Sequence, residues 1–299
     1  MSSGASVLFD APGPRARLRN NLISVLVAAV IIAVGFVLYR AFDEQGQFAA
    51  EKWKPFLDAD VWETYLLPGL KGTIVAAVLS IVFALILGMI FGILRLSEHR
   101  WVRIVAGAIV EFSRAIPVLI LMIFLFAIFS EYKVFKSDDL ALAAVVVALT
   151  IYNGSVIAEI VRAGIRSLPK GQSEAAVALG LRKNQLMRLI LLPQAVTAML
   201  PALISQMVVA LKDTALGYQI TYGEIVREGK QLGASEQNII PALIVVAVIM
   251  IILNSSLSFT ATKLEQRLRA RRRIKGGAVL AADSVLTDAA PGVDIVTKR

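Results

Sequence analysis

Two carboxylate–guanidinium pairs stand inside apolar stretches of this chain: Glu111 with Arg114, and Glu159 with Arg162. Each is spaced i, i+3, which puts both groups on one face of a helix. An ionised side chain at mid-bilayer costs about 2.5–3.5 kcal/mol on insertion scales, so such residues turn to a protein interior and pair. Structural pairing is therefore one role for all four. Arg114 and Glu159 have a second role as ligand contacts. Arg114 stands just before the kink-prone Pro117, and its planar fork suits the carboxylate of an amino acid. Asn153, beside Gly154 and Ser155, can hydrogen-bond either a ligand or a neighbouring helix. Lys212 and Asp213 close another apolar run; gating, pairing and ligand contact are all open to them.

Other chemistries are excluded by residue counts. With no cysteine and the single histidine His99, thiolate catalysis, disulfides, Cys-based metal sites and His-pair zinc sites fall away. The phosphate-cradling sequence Gly-x-x-x-x-Gly-Lys-Ser/Thr does not occur in the chain, so any nucleotide chemistry belongs to a partner.

The elements that must position these groups are membrane helices. The 299 residues are 57% apolar and 18% charged, and mean hydropathy is +0.72. Nearly charge-free stretches run Leu22–Tyr39, Gly72–Leu94, Ile104–Ser130, Leu140–Ala158, Leu189–Leu211 and Gln237–Thr262. About 20 apolar residues cross the hydrocarbon core as a helix, so all six stretches reach across. The third contains Glu111 and Arg114 and qualifies by length rather than purity. Leu22–Tyr39 follows a basic arm (Arg15, Arg17, Arg19), but it exceeds a signal-peptide core and lacks a clean cleavage site, so it reads as a retained anchor. Gly88 and Gly92 mark a close helix contact.

Charge in the connecting loops alternates. Basic excess falls on the N-terminal arm, on Arg95–Arg103, on Arg162–Arg188 and on Lys263–Lys275. The intervening loops are acidic or close to neutral. By the positive-inside rule both termini lie in the cytoplasm. The expected fold is an all-α membrane protein with six transmembrane helices. Its parts are a cytoplasmic arm (1–20), a first transmembrane helix (21–41), an extracellular segment (42–63), a transmembrane core (64–262) and a basic, largely disordered cytoplasmic tail (263–299). The net charge of +9 sits mostly in the cytoplasmic parts. The Lys263–Lys275 cluster suits anionic membrane lipids at about 1 kcal/mol per basic residue, and no nucleic-acid module accompanies it. Composition from Gly276 onward is small and polar, which predicts disorder.

The segment 165–188 carries the most information. Pro169 fits the first turn of a short helix and Ser173 suits a second start. Glu174 opposes the helix dipole, and Ala175, Ala176 and Ala178 favour helix with almost no side chain. Gly180 suits a left-handed stop, and Asn184 suits a cap for the membrane helix from Leu186. The result is a short cytoplasmic helix whose small surface admits close approach of another protein. An ordinary interfacial helix has the same features.

The run through Pro193 resembles the EAA loop of ABC-importer permeases. Glu174, Ala175, Ala176, Gly180, Ile190, Leu192 and Pro193 match that pattern at every position. The stretch from Gly69 to Leu216 is similar to the polar amino-acid branch. Its landmarks are Gly72-Thr73, Arg114 to Pro117, Ala158 to Ile165, Gly171-Gln172, Leu192 to Ala195 and Lys212 to Leu216. Ala115-Ile116 and Ala215 depart mildly from it. The runs Leu8–Pro14 and Glu111–Phe124 resemble the glutamate-importing permeases of actinobacteria.

The resemblance implies a five-helix type I importer core with one extra N-terminal helix, in a multi-pass protein of the cell membrane. It implies no enzymatic activity in this chain, with ATP and Mg held by partner ATPase subunits. The implied partners are a second homologous permease subunit, two ATP-binding subunits and an extracellular substrate-binding protein. The implied coupling residues are Glu174, Ala175, Ala176, Gly180 and Pro193, in a helix that docks in an ATPase groove. Arg114, Asn153, Glu159, Lys212 and Asp213 are the substrate-contact candidates, and glutamate is the expected substrate. An ion-coupled secondary amino-acid transporter is the alternative. It needs no docking helix and favours a carboxylate-rich midplane and broken helices.

Overall fold

Small residues recur at every fourth position along the helix that follows the first acidic loop: Ala76, Ser80, Ala84, Gly88 and Gly92, all buried. That spacing draws one narrow strip along a helix, and the strip decides how the bundle packs. The computed structural model describes residues 13–287, with side chains from 13 to 267.

The long helices are α1 (Pro14–Glu44), α2 (Ala59–Leu94), α5 (Ser137–Arg166), α7 (Lys183–Ile220) and α9 (Ile239–Thr287). Between them lie α3 (Arg100–Ala115), α4 (Val118–Glu131), α6 (Lys170–Ala178) and α8 (Ile225–Ser235). No strand occurs among the described residues. The five long helices are long and apolar enough to cross a membrane.

The stretch Ile104–Ser130, expected as one span, is broken. α3 and α4 meet at 98°. The cause is Pro117, which disfavours helical backbone in the residue before it. Ile116 is extended, at φ −83° and ψ 126°. Counted as one bent span, the pair raises the total to six.

The basic residues Arg15, Arg17 and Arg19, read as an arm, already lie in α1, which begins at Pro14. α9 continues to Thr287 where composition predicts disorder from Gly276. The remainder of that tail, the start of the arm and most of the Leu8–Pro14 run lie outside the described residues. α1 contains no buried residue. The segment after it folds back, with Phe48 stacked on Tyr39 at 5.2 Å between ring centres. It is pinned to the start of α9 where Asn238 donates to the Lys52 carbonyl at 2.9 Å.

The α2–α5 contact is close. A Cβ on Gly88 would meet Ile157 Cγ2 at 2.4 Å, and one on Gly92 would meet Val161 at 2.7 Å. A Cβ on Gly154 would meet Leu87 at 2.8 Å. These contacts advance together along both helices, so α2 and α5 run parallel. α7 runs the other way against α5, from Met199 beside Gly164 to Gly217 beside Val145.

At the opposite end of α2 from Arg95, the loop before α8 is stitched to Gly72 and Thr73. The Tyr222 hydroxyl donates to the Gly72 carbonyl at 2.7 Å. The Thr73 hydroxyl accepts from the Ile225 amide at 3.1 Å and donates to the Gly69 carbonyl at 3.0 Å. A Cβ on Gly72 would lie 2.0 Å from the Gly223 oxygen, so only glycine fits. Thr221 adopts left-handed backbone at φ 63°, a costly conformation for a β-branched residue. Glu224 is fully buried and caps α8 by accepting from the Val226 and Arg227 amides at 2.8 and 2.7 Å. Burial pushes its carboxyl up to about 7, against the opposing pull of those two amides.

Two outcomes follow. Gly88→Leu overpacks the α2–α5 seam by about 1–3 kcal/mol and lowers the melting temperature of the purified protein. Gly35→Leu, on α1 with nothing within 4 Å, leaves it nearly unchanged. For Glu224 the folded carboxyl titrates above its unfolded value, so its contribution is complete in acid and lost as pH rises through about 7. Amide exchange at 225–228, corrected for intrinsic rates, should therefore quicken as pH rises from 4.5 to about 7 and level off above it. Glu224→Gln should flatten that dependence.

Candidate functional site

The end of the bundle near Arg95 gathers most of the candidate residues. α6 starts directly after Pro169 and stops at a left-handed Gly180, φ 77°. The Leu181 amide bonds the Ala176 carbonyl at 3.1 Å, and the Gly180 amide bonds the Val177 carbonyl at 2.9 Å. That pair of bonds is a Schellman turn, which satisfies carbonyls a helix end leaves orphaned. Ser173 starts no second helix, because helix already runs from Lys170. Asn184 caps nothing: α7 begins one residue earlier, and the Gln185 side chain accepts from the Arg182 amide at 2.9 Å.

The two faces of α6 differ. Ala176 is buried at 2% exposure and packs with Ile165, Leu186 and Leu191 at the ends of α5 and α7. Glu174, Ala175 and Ala178 are exposed. Val177 and Leu179 are exposed at 62% and 81%. The surface offered to another protein is thus small-sided with an apolar tip, and Ala176 is the anchor behind it. Pro193 lies farther on, in α7, where a π-helical turn at Leu186–Leu191 passes into α-helix. Proline lacks the amide that would continue the bonding pattern. The same device occurs in α2, where a π turn at Trp62–Leu66 precedes Pro68.

The charged pairs merge into one cluster. Arg95, at the end of α2, donates to Glu111 of α3 and to Glu159 of α5, both at 2.8 Å. Glu159 also accepts from Arg162, from Nε at 3.0 Å and from Nη2. Arg114 reaches Glu111 only at 3.8 Å. The Arg95 side chain is 11% exposed, so it is the enclosed centre that ties three helices together. Glu159 has both oxygens occupied by arginines, which is a structural arrangement. Arg114 is the loosely held cation of the group. Sequence reasoning found the two i, i+3 pairs but missed Arg95. The available signal was an arginine closing an apolar run while two carboxylates inside neighbouring runs needed a shared cation.

Asn153 is fully buried. It accepts from the Gln206 amide at 2.7 Å and donates to the Leu149 carbonyl at 2.9 Å. It joins α5 to α7, the helix–helix role of the two open to it. Lys212 and Asp213 lie together at the far end of α7 from α6. Lys212 is exposed and Asp213 half-buried, and no ion pair joins them. Between the loop after α2 and the start of α7 an open cavity of about 360 Å³ is lined by Glu98, His99, Arg182, Lys183 and Met187. A Lys183–Glu98 ion pair of 3.1 Å spans its rim. Among the described residues no acidic or imidazole groups converge to hold a metal ion.

This arrangement has relatives. Residues 80–270 match the family described as binding-protein-dependent transport system inner membrane component. The chain is 57% identical over 230 residues to the glutamate transport system permease protein GluD of Corynebacterium glutamicum, covering 77% of this chain and 84% of that one. It is 30% identical over 208 residues to the glutamate/aspartate import permease protein GltK of Escherichia coli, covering 68% and 93%. Among solved structures, that of an amino acid ABC transporter superposes with a TM-score of 0.62 at 26% identity, covering 68% and 93%. About two thirds of the chain thus shares a known architecture, and the chain belongs to the family of inner-membrane components of binding-protein-dependent transport systems.

Proposed function

We propose that this chain is a transmembrane permease subunit of an ATP-driven importer that moves glutamate into the cell by alternating access. The observation that carries the substrate is the 57% identity to a glutamate permease, sustained over 230 residues. The mechanism is supported by α6. It is a short helix with an exposed apolar tip, set between two membrane-crossing helices and anchored to both through Ala176.

In this reading the α6 end of the bundle is cytoplasmic, in keeping with its basic loops, and both termini lie on that side. ATP and Mg bind two separate ATPase subunits. Their closure moves α6, which docks through Glu174, Ala175, Val177 and Leu179. The Gly180 turn and the Ala176 anchor pass the motion to α5 and α7. The Arg95 cluster makes the ends of α2, α3 and α5 move as one body, since separating them would strand buried charge. A second permease subunit completes the pathway, and an extracellular binding protein delivers the amino acid to the Tyr222 end. Arg114, whose ion pair with Glu111 is long at 3.8 Å, and Lys212 are the cations that would meet substrate carboxylates. Asn153 and Glu159 shape the pathway by holding helices.

Reconstitution of the chain with a second permease, the ATPase subunits and the binding protein should give glutamate uptake that requires ATP. Uptake on an ion gradient without the ATPase would sink the importer reading in favour of secondary transport. For the coupling helix, Val177→Glu with Leu179→Glu removes two apolar anchors, each worth about 1.5–3 kcal/mol if fully buried on docking. Co-purification of the ATPase should fall more than tenfold while membrane insertion persists. Undiminished co-purification would show that α6 is not the docking element.

A further inference from the structure

We propose that the start of α3 binds an anionic phospholipid, with the phosphodiester in the cavity at His99 and Arg182 and an acyl chain along the apolar face that begins at Trp101. The orientation of α3 is the first observation. Leu96, just before it, packs into the cluster of Ile165, Ala176 and Leu186. At the other end of α3, Glu111 shares Arg95 with Glu159, which precedes Ile165 on α5 by less than two turns. At about 1.5 Å per residue, α3 therefore advances about 17 Å along its own axis while climbing only about 9 Å of α5. It runs more across the bundle than along it. α4 follows at 98° and packs on the other half of α5, at Ala144, Ala148 and Leu149.

A helix lying across the end of a membrane bundle turns one face to the protein and the other to the membrane surface. The protein face of α3 carries Ala106 and Val110, both buried. Its other face is apolar and uncovered. Trp101 is 79% exposed and Phe112 69%, with Ile104, Val105 and Ile109 exposed between them. Trp101, Val105 and Phe112 fall on one stripe of the helix. A tryptophan at the start of such a stripe suits the boundary between headgroups and acyl chains.

The same end of the stripe is cationic. The cavity between the loop after α2 and the start of α7 is lined there by Ser97, His99, Arg182 and Lys183. Arg100 and Arg103 stand on the first turn of α3. The acid at the cavity, Glu98, is matched to Lys183. Arg100 and Arg182 pair with no carboxylate among the described residues. Guanidinium groups bind phosphate with paired donors. A free anion would satisfy them and leave Trp101 and Phe112 bare. An apolar protein face would cover the stripe and leave the guanidiniums unmatched. One phospholipid supplies both halves. Its headgroup must be net negative, because the cation of a zwitterionic headgroup is repelled by the same arginines.

The test uses the full-length chain, purified with the subunits that accompany it, in phosphatidylcholine nanodiscs. Phosphatidylglycerol or phosphatidylcholine with brominated acyl chains is titrated in. Quenching of Trp101 is read as the difference between wild type and Trp101→Phe. Half-quenching should need about five- to thirtyfold less brominated phosphatidylglycerol than phosphatidylcholine, the span of one to two basic residues at an anionic surface. Arg100→Gln with Arg182→Gln should bring the two lipids level. Inorganic phosphate, set against chloride at equal ionic strength so that screening is matched, should leave the preference intact. If the double variant is not recovered, the wild-type comparison of the two lipids and the phosphate competition decide. Equal quenching by both lipids in the wild type overturns the site, as does a preference that survives the double substitution. Loss of the preference to phosphate assigns the cavity to a free anion, and no quenching by either lipid assigns the α3 face to a protein; each also overturns it.

Discussion

Two apolar helices in lipid gain little by touching, because acyl chains are as apolar as leucine. What they gain must come from contact itself, and contact improves as the axes approach. The strip Ala76, Ser80, Ala84, Gly88, Gly92 removes side-chain bulk from α2 along its whole length. Ala144, Ala148, Gly154 and Ala158 do the same on α5. Backbones then meet directly, with the Gly154 carbonyl 2.8 Å from where a Gly88 Cβ would stand. The remaining core helices are arranged around that pair: α4 and α7 pack on α5, and α8 packs on the end of α2.

Polar groups then have to be settled inside the bundle, since lipid offers them no partners. At one end Arg95 settles two carboxylates at once. In the middle Asn153 and Gln206 settle each other. At the other end Thr73, Tyr222 and Glu224 bond the backbone of the loop before α8. Each of these also locks two elements together, so neutralising charge and fixing geometry are the same act.

Motion has to pass through what is left flexible. α6 is held at one face by Ala176 and closed by a left-handed glycine, so it can be displaced without unravelling. The π turns that precede Pro68 and Pro193 loosen the helix bonding locally where α2 and α7 begin. In the proposed mechanism the soft entrances permit a displacement of α6, and the Ala176 anchor passes it to α5 and α7.

A good part of the molecule was legible in the residues. Hydropathy fixed the five straight helices because burial in lipid acts on each segment separately. The EAA pattern, together with the helix formers Ala175, Ala176 and Ala178, a carboxylate at 174 that opposes the dipole and a glycine at 180, located α6 and its stop, since these are local properties of the backbone. The i, i+3 spacings gave two ion pairs for the same reason. The break at Pro117 was half-visible, as a kink-prone residue inside an expected span. The sequence could not show Arg95 reaching two carboxylates, Ala176 facing inward while Ala175 faces out, or Asn153 bonding Gln206. Each of those depends on which helices lie side by side and in what register. Register is set by the fit of small residues across α2 and α5, a relation between distant segments that no single segment contains.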